Sequence, residues 1–508
     1  MTSTDLNPAG FARAGLAGRA LPIFATALFL SAFLLFAVQP MFTKMVLPIL
    51  GGAPSVWSVA MVFFQAMLLA GYCYAHLLTR LLPIRFAAFA HLGLMAAAFV
   101  ALPIALSSGA LSPPASGEAM WLIGVFLASV GLPFFAVAGN GPLLQAWFAQ
   151  SGHPHARDPY FLYGASNVGS FAALIAYPLV IEPTLTLGMQ TRSWTIGFGL
   201  LAVAIGVAAL SAMRGGAPAA GAARDEAGPA PTLRDRLVWI GLSAVPSGLL
   251  VSVTAHISTD VASAPLLWVA PLALFLATFV LVFRERPVAG AALLGRLQIW
   301  LAGAVMMILA LGNQTMWLGL PLHLALFFVN AMVCHTALYE RRPAAAHLTD
   351  FYLMMSLGGV VGGMFCGLIA PHLFSSVVEY PLLIAAALFC APAALAALGA
   401  DRAASLRAAA VVAGLAATGL GLVYLGVVLS GTSDAGRLVA GAGVGAAMLL
   451  VWRRPDRAAM IGVVAAFTAT AFQGLITPRE THRSFFGVHK VRELADGRFR
   501  GIEHGTTL

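Results

Sequence analysis

Lys44, His256 and Asp260 are ionisable side chains placed inside runs that are otherwise apolar enough for a bilayer core. His256 and Asp260 share one face of a helix, a single turn apart. An ionised group at membrane depth costs about 2.5–3.5 kcal/mol on insertion scales. Such residues must face a protein interior or a wet cavity. The chemistry open to them there is charge pairing, ligand binding or proton relay, since an imidazole titrates at about pH 6.5. Pro246, Pro265 and Pro271 bracket the pair and predict an interrupted helix.

An earlier stretch echoes this one. Thr43-Lys44 stands where Thr259-Asp260 stands in the later copy, and Pro54-Ser55-Val56-Trp57 answers Pro265-Leu266-Leu267-Trp268. A cation in one half and an anion in the other predict a midline pair, or a shared ligand, across a pseudo-two-fold axis. The alternative is separate satisfaction, by a backbone carbonyl or by snorkelling to the interface. Asn140 and Asn167 lie in glycine-rich helices. They either line the same cavity or act as interhelical hydrogen-bond donors, contributing about 1 kcal/mol each. The candidate cavity residues are thus Lys44, His256, Asp260, Asn140 and Asn167.

No residue reads as catalytic, cofactor-binding or metal-binding. Cys73, Cys334, Cys366 and Cys390 lie in apolar spans without CxxC spacing and read as small buried hydrophobes. His153, His155 and Asp158 cluster in one stretch, where a solvated loop that starts a helix is favoured over a metal site. Gly358, Gly359, Gly362 and Gly363 form LGGVVGG inside a span. No strand precedes them and no acidic ribose partner follows, so the motif predicts close helix packing rather than dinucleotide binding.

The elements that must position these residues are membrane helices. The chain has 508 residues, 60% hydrophobic and 9% charged. Soluble domains carry about 25% charged residues, so the composition excludes a soluble class. The net charge of +9 does not indicate nucleic acid, because the charges are sorted by side. Arg80, Arg85, Arg214, Arg234, Arg236, Arg341, Arg342, Arg453 and Arg454 fall in loops on one side, and Arg192 and Arg437 on the other. That bias places the N-terminus in the cytoplasm, with the lipid bilayer as the partner. Arg13 and Arg19 precede an apolar run from Leu21 that reads as an uncleaved first span.

The expected fold is an all-α polytopic membrane protein with about 15 transmembrane helices. Six spans lie within 1–213. A linker rich in Ala, Gly and Pro follows at 214–236, and six more spans lie within 237–399. Further apolar runs occupy 400–476. Gly131-Leu132-Pro133 is matched by Gly319-Leu320-Pro321, Asn140 by Asn330, Asp158-Pro159-Tyr160 by Asp350-Phe351-Tyr352, and Leu174-Ile175-Ala176 by Leu368-Ile369-Ala370. The matches keep their order, which predicts duplication. Same-direction halves of six spans are the major-facilitator pattern, with a ligand site between the halves.

From Thr477 the chain turns polar. Phe485 to Val491 and Arg498 to Glu503 alternate around Asp496-Gly497, which predicts a β-hairpin at the start of a soluble domain. A lone hairpin is marginal in water, so residues after about 478 are expected to be loosely docked.

Several stretches together resemble the membrane region of the bacterial fused major-facilitator/spermidine-synthase proteins. They are SAFLLFAVQPMFTKMVLP at 31–48, DPYFLYGASNVGS at 158–170, HISTDVASAPLLWVAPLAL at 256–274, TDFYLMMSLGGVVGG at 349–363, and RSFFGVHKV with HGTTL near the end. The resemblance implies a bacterial inner-membrane protein, a following domain that transfers aminopropyl groups, and a ligand of polyamine type. The family's nucleotide loop and catalytic aspartate match no residue of this chain, so no catalytic residue and no cofactor carry over. The alternative is a major-facilitator-like transporter or binder of a small molecule. Fifteen spans place the terminal hairpin outside, whereas a cytoplasmic synthase needs an even count.

Overall fold

The computed structural model describes residues 8–52, 55–106, 113–114, 116–151, 153–157, 162–214, 229–258, 268–283, 288–311, 316–391, 480–485, 487–494 and 499–504. The first helices are α1 (Pro8–Val46), α2 (Ser55–Leu81), α3 (Ile84–Phe99), α4 (Glu118–Phe148), α5 (Leu162–Thr184) and α6 (Leu187–Arg214). After the linker come α7 (Leu233–His256), α8 (Val269–Val282), α9 (Ala291–Leu311), α10 (Met316–Glu340), α11 (Leu348–Leu373) and α12 (Glu379–Phe389). Among the described residues, eight helices are long and apolar enough to cross a membrane and four more are shorter and apolar. At 1.5 Å per residue about 20 residues span the hydrocarbon layer, and the eight meet that length. The further spans expected over 400–476 lie outside the described residues.

α7 begins inside the stretch read as linker. Thr232 caps it: the Thr232 hydroxyl accepts from the Asp235 amide at 3.2 Å, and the Asp235 carboxylate accepts from the Thr232 amide at 2.9 Å. This capping box satisfies two donors that a helix start leaves open, so the helix starts there despite the polar sequence. α7 ends at His256 with Ile257 as its C-cap, and α8 starts at Val269; residues 259–267, where the break is expected, lie outside the described residues. Three helices widen into a π turn next to a proline, at Leu127–Gly131, Tyr177–Ile181 and Phe365–Ile369. Proline lacks the N–H the α ladder needs and crowds the preceding turn.

Buried clusters separate along the chain. One draws all its buried members from residues 20–212, and two others draw theirs from 239–390. Within the first group α1 lies along α5, and within the second α7 lies along α11. Glycine permits both approaches. A Cβ on Gly169 would strike the Phe29 carbonyl, and Cβ atoms on Gly358 and Gly362 would strike the Ile240 and Ala244 carbonyls. The LGGVVGG motif is therefore a packing surface. α2 crosses to α11, and α5 to α8, so the groups meet along these pairs.

The C-terminal segment contains the expected hairpin and one strand more: β1 (Glu480–Ser484), β2 (Gly487–Leu494) and β3 (Phe499–His504), antiparallel in the order β1-β2-β3, with β2 and β3 flanking Asp496-Gly497. Gly487 has φ of +137°, a backbone that glycine adopts freely, so the chain turns there and Phe485 to Val491 is not one strand. Nor is the sheet loosely held. The Arg483 guanidinium donates to both Glu379 carboxylate oxygens, at 3.1 and 2.7 Å, and to the Ser376 carbonyl at 2.8 Å. Phe485 packs against the first buried cluster. The sheet uses the membrane helices as the core it lacks.

Candidate functional site

A cavity of about 170 Å³ lies between the two helix groups. Its wall takes residues from α1, α2, α4 and α5 on one side and from α7, α8, α10 and α11 on the other. No Asp, Glu, Lys or Arg is among its described lining residues. The polar wall is made of serines, amides, two tyrosines and one histidine.

The hydrogen bonds fix several protons. The Ser247 hydroxyl donates to the Gly359 carbonyl at 2.9 Å, so it receives the Gln65 Nε2 hydrogen at 3.0 Å as an acceptor. Gln65 Oε1 is thereby the free end of that amide, and it has no partner among the described residues. The Thr278 hydroxyl donates to the Phe275 carbonyl at 2.6 Å, so the His335 Nδ1 hydrogen, 2.7 Å away, must be the donor in that pair. In neutral His335, Nε2 then keeps the lone pair. Asn167 Nδ2, Ser243 Oγ and Ser356 Oγ also lack partners among the described residues. All three side chains line the cavity and are at least nine-tenths buried. Unpaired buried polar atoms are rare and costly, about 1–3 kcal/mol each.

Aromatic side chains from both groups meet at each end of the cavity. At one end Trp57 of α2 stacks on Trp268, ring centroids 4.3 Å apart. Trp268, Leu174 and Leu276 form a small apolar plug there, with Phe36 and Phe171 against it. At the other end Tyr163 of α5 stacks on Tyr352 of α11 at 5.1 Å, and Tyr72 meets Tyr352 edge-on. The Tyr352 hydroxyl donates to Gln145 Oε1 at 3.0 Å, and His76 pairs with Thr349 at 2.8 Å. Arg236 and Asp350 form an ion pair within the second group at this same end, at 2.9 Å.

The residues singled out in the sequence are dispersed. Asn167 lines the cavity. Asn140 does not: its Oδ1 receives His91 Nε2 at 2.6 Å and its Nδ2 donates to Ser31 at 3.0 Å, which makes it an interhelical hub. Lys44 forms an ion pair with Glu182 at the tryptophan end, and both side chains are partly exposed. Asp260 lies outside the described residues, and with it the expected Lys44–Asp260 pair. His256 is buried in the second group, its ring 4.7 Å from His323 and 5.1 Å from Tyr380. In the 153–157 turn, the His155 amide donates to His153 Nδ1 at 3.1 Å, and burial, then neighbouring His155, holds His153 below the ordinary imidazole pKa. Sequence reasoning missed Gln65, Ser243, Ser247 and Ser356. The four-residue spacing of Ser243 and Ser247 was the one visible sign that they share a helix face.

No family model matches this sequence, and no curated protein matches it. Among solved structures, the chain is similar to the major facilitator superfamily proton:xylose symporter XylE, with TM-score 0.47 and 12% identity over 75% of this chain and 95% of that one. It is similar to the E. coli fucose:proton symporter FucP, with TM-score 0.40 and 15% identity over 73% of this chain and 98% of that one. It is also similar to the human organic anion transporter MFSD10, with TM-score 0.44 and 16% identity over 73% of this chain and 95% of that one. By the length and apolarity of its own helices, the chain is a mostly helical, multi-pass membrane protein.

Proposed function

We propose that the chain is a transporter-type membrane protein that holds a small solute between its two helix groups and exposes it to one side at a time. The observation that carries this reading is the cavity itself. It is built from both groups, its wall carries unpaired polar atoms, and aromatic contacts between the groups flank it at each end. Unpaired donors and acceptors in a cavity wall are groups that a polar solute would satisfy. The test is thiol accessibility of Ser356→Cys in a background lacking the four native cysteines. Labelling from one side at a time supports the reading. Simultaneous labelling from both sides indicates an open pore, and no labelling from either side a static core.

A second reading is that the chain is the membrane region of a fused spermidine-synthase-like protein of the bacterial inner membrane, its N-terminus in the cytoplasm. The terminal sheet favours it, since an antiparallel sheet follows the helices and is tied to them by Arg483. The arginine-rich end then faces the cytoplasm. The sheet docks at the opposite end, beside the loop between α11 and α12. An aminopropyltransferase placed there would be away from cytoplasmic substrates. An alkaline phosphatase fusion after Leu508 that is inactive, with an active cytoplasmic reporter in its place, supports the synthase reading. The reverse pattern removes it.

A further inference from the structure

We infer that the solute held in this cavity is uncharged and carries both hydrogen-bond donors and acceptors, as a small polyol or carboxamide does. This rests on the transporter reading and names the class of its substrate.

Charge is decided by the wall. A buried ion without a partner loses several kcal/mol of hydration, and only an opposite charge or a dense set of hydrogen bonds offsets that loss. The described lining residues supply no carboxylate for a polyamine and no Lys or Arg for an organic acid. Among the described residues, Glu182 is engaged by Lys44 and Glu379 by Arg483.

Polarity is decided by the unpaired atoms. Gln65 Oε1 can only accept, and Asn167 Nδ2 can only donate. Ser243 and Ser356 can do either. Their side chains are 8% and 9% exposed and Asn167 is 4% exposed, so bulk water does not reach them freely. A ligand that satisfies the set must present a hydrogen to Gln65, a lone pair to Asn167 and hydroxyl-like groups to the serines. Hydroxyl and amide groups supply both from one small frame. Gly363 leaves the space in which Gln65 Oε1 sits, since a Cβ there would collide with that amide. The cavity holds roughly ten times the 10–15 Å³ that one water needs on the same measure, enough for a small solute.

The experiment is thermal unfolding of the purified full chain with glucose, myo-inositol, glycerol, acetamide, spermidine and succinate as probes. A ligand that binds only the folded state stabilises it by RT ln(1 + L/Kd) at free ligand concentration L, so the midpoint rises with concentration relative to Kd. At least one neutral probe is expected to raise the midpoint. Its Kd should weaken about ten-fold in Gln65→Met, which keeps side-chain length and removes the acceptor, and similarly in Asn167→Leu. Arg80→Ala should leave it unchanged. Stabilisation only by spermidine or succinate, lost in the same variants, overturns the class and leaves the cavity reading standing. Stabilisation by no probe, or a shift equal in wild type and both variants, overturns the inference. The accessibility of Ser356→Cys then tests the transporter reading separately.

Discussion

Trp57 and Trp268 stack with ring centroids 4.3 Å apart and 25° between their planes. The two residues end the matched stretches Pro54–Trp57 and Pro265–Trp268 of the sequence. Such a pair contributes about 0.5–1.5 kcal/mol beyond the area it buries. Breaking it with Trp57→Ala should shift the closed-to-open ratio at this end by up to about ten-fold. Ser170→Cys, on the cavity wall, should then label several-fold faster from the tryptophan side. An unchanged rate would remove the stack as a gate.

The Arg483–Glu379 pair is more deeply buried than Lys44–Glu182 or Arg236–Asp350, with side chains 10% and 1% exposed. Removing one partner strands the other, at a cost of about 3–5 kcal/mol. Arg483→Met should abolish hydrogen-exchange protection over 480–494, and Arg483→Met with Glu379→Met should restore a large part of it. Equal protection in wild type and Arg483→Met would show that the sheet docks by other contacts.

Lys44 and Glu182 are 40% and 31% exposed, so solvent screens them. An exposed pair contributes about 0–1 kcal/mol. Lys44→Met should lower stability by less than about 1 kcal/mol, read by denaturant midpoint in detergent. A loss several times larger would mean that Lys44 has a second, buried partner, and Asp260→Asn would then reproduce it.

Gly362→Ala and Gly359→Ala form a matched pair. At Gly362 the new methyl overlaps the Ala244 carbonyl, and at Gly359 its nearest neighbour is Ser247 Oγ at 4.0 Å. Forcing α7 and α11 apart should cost about 1–3 kcal/mol at Gly362. The Gly359 variant should unfold at the wild-type temperature. Equal melting temperatures would contradict this packing.

The helices were legible because apolar runs of this length have one structural outcome in a bilayer. The matched stretches brought Trp57 and Trp268 into correspondence, and the structure stacks the two rings. The cavity was not. Gln65, Ser243 and Ser356 are ordinary polar residues, and which way they face depends on helix rotation set by close contacts such as those of Gly358, Gly362 and Gly363. In a membrane, lipid and core are both apolar, so a helix need not show a polar face to indicate its inner side. The Glu182 partner of Lys44 lies 138 residues away, with no periodicity linking the two. The third strand was missed because the turn before Gly487 reads as alternation.

Alternating exposure requires the two ends to move reciprocally, and paired spin labels measure that movement. One pair, Thr184→Cys with His372→Cys, reports the tryptophan end. The other, Arg80→Cys with Arg234→Cys, reports the tyrosine end. Two distance populations are predicted for each pair, and conditions or variants that lengthen one, such as Trp57→Ala, should shorten the other. A single fixed distance in both pairs, or lengthening of both together, would contradict alternating exposure.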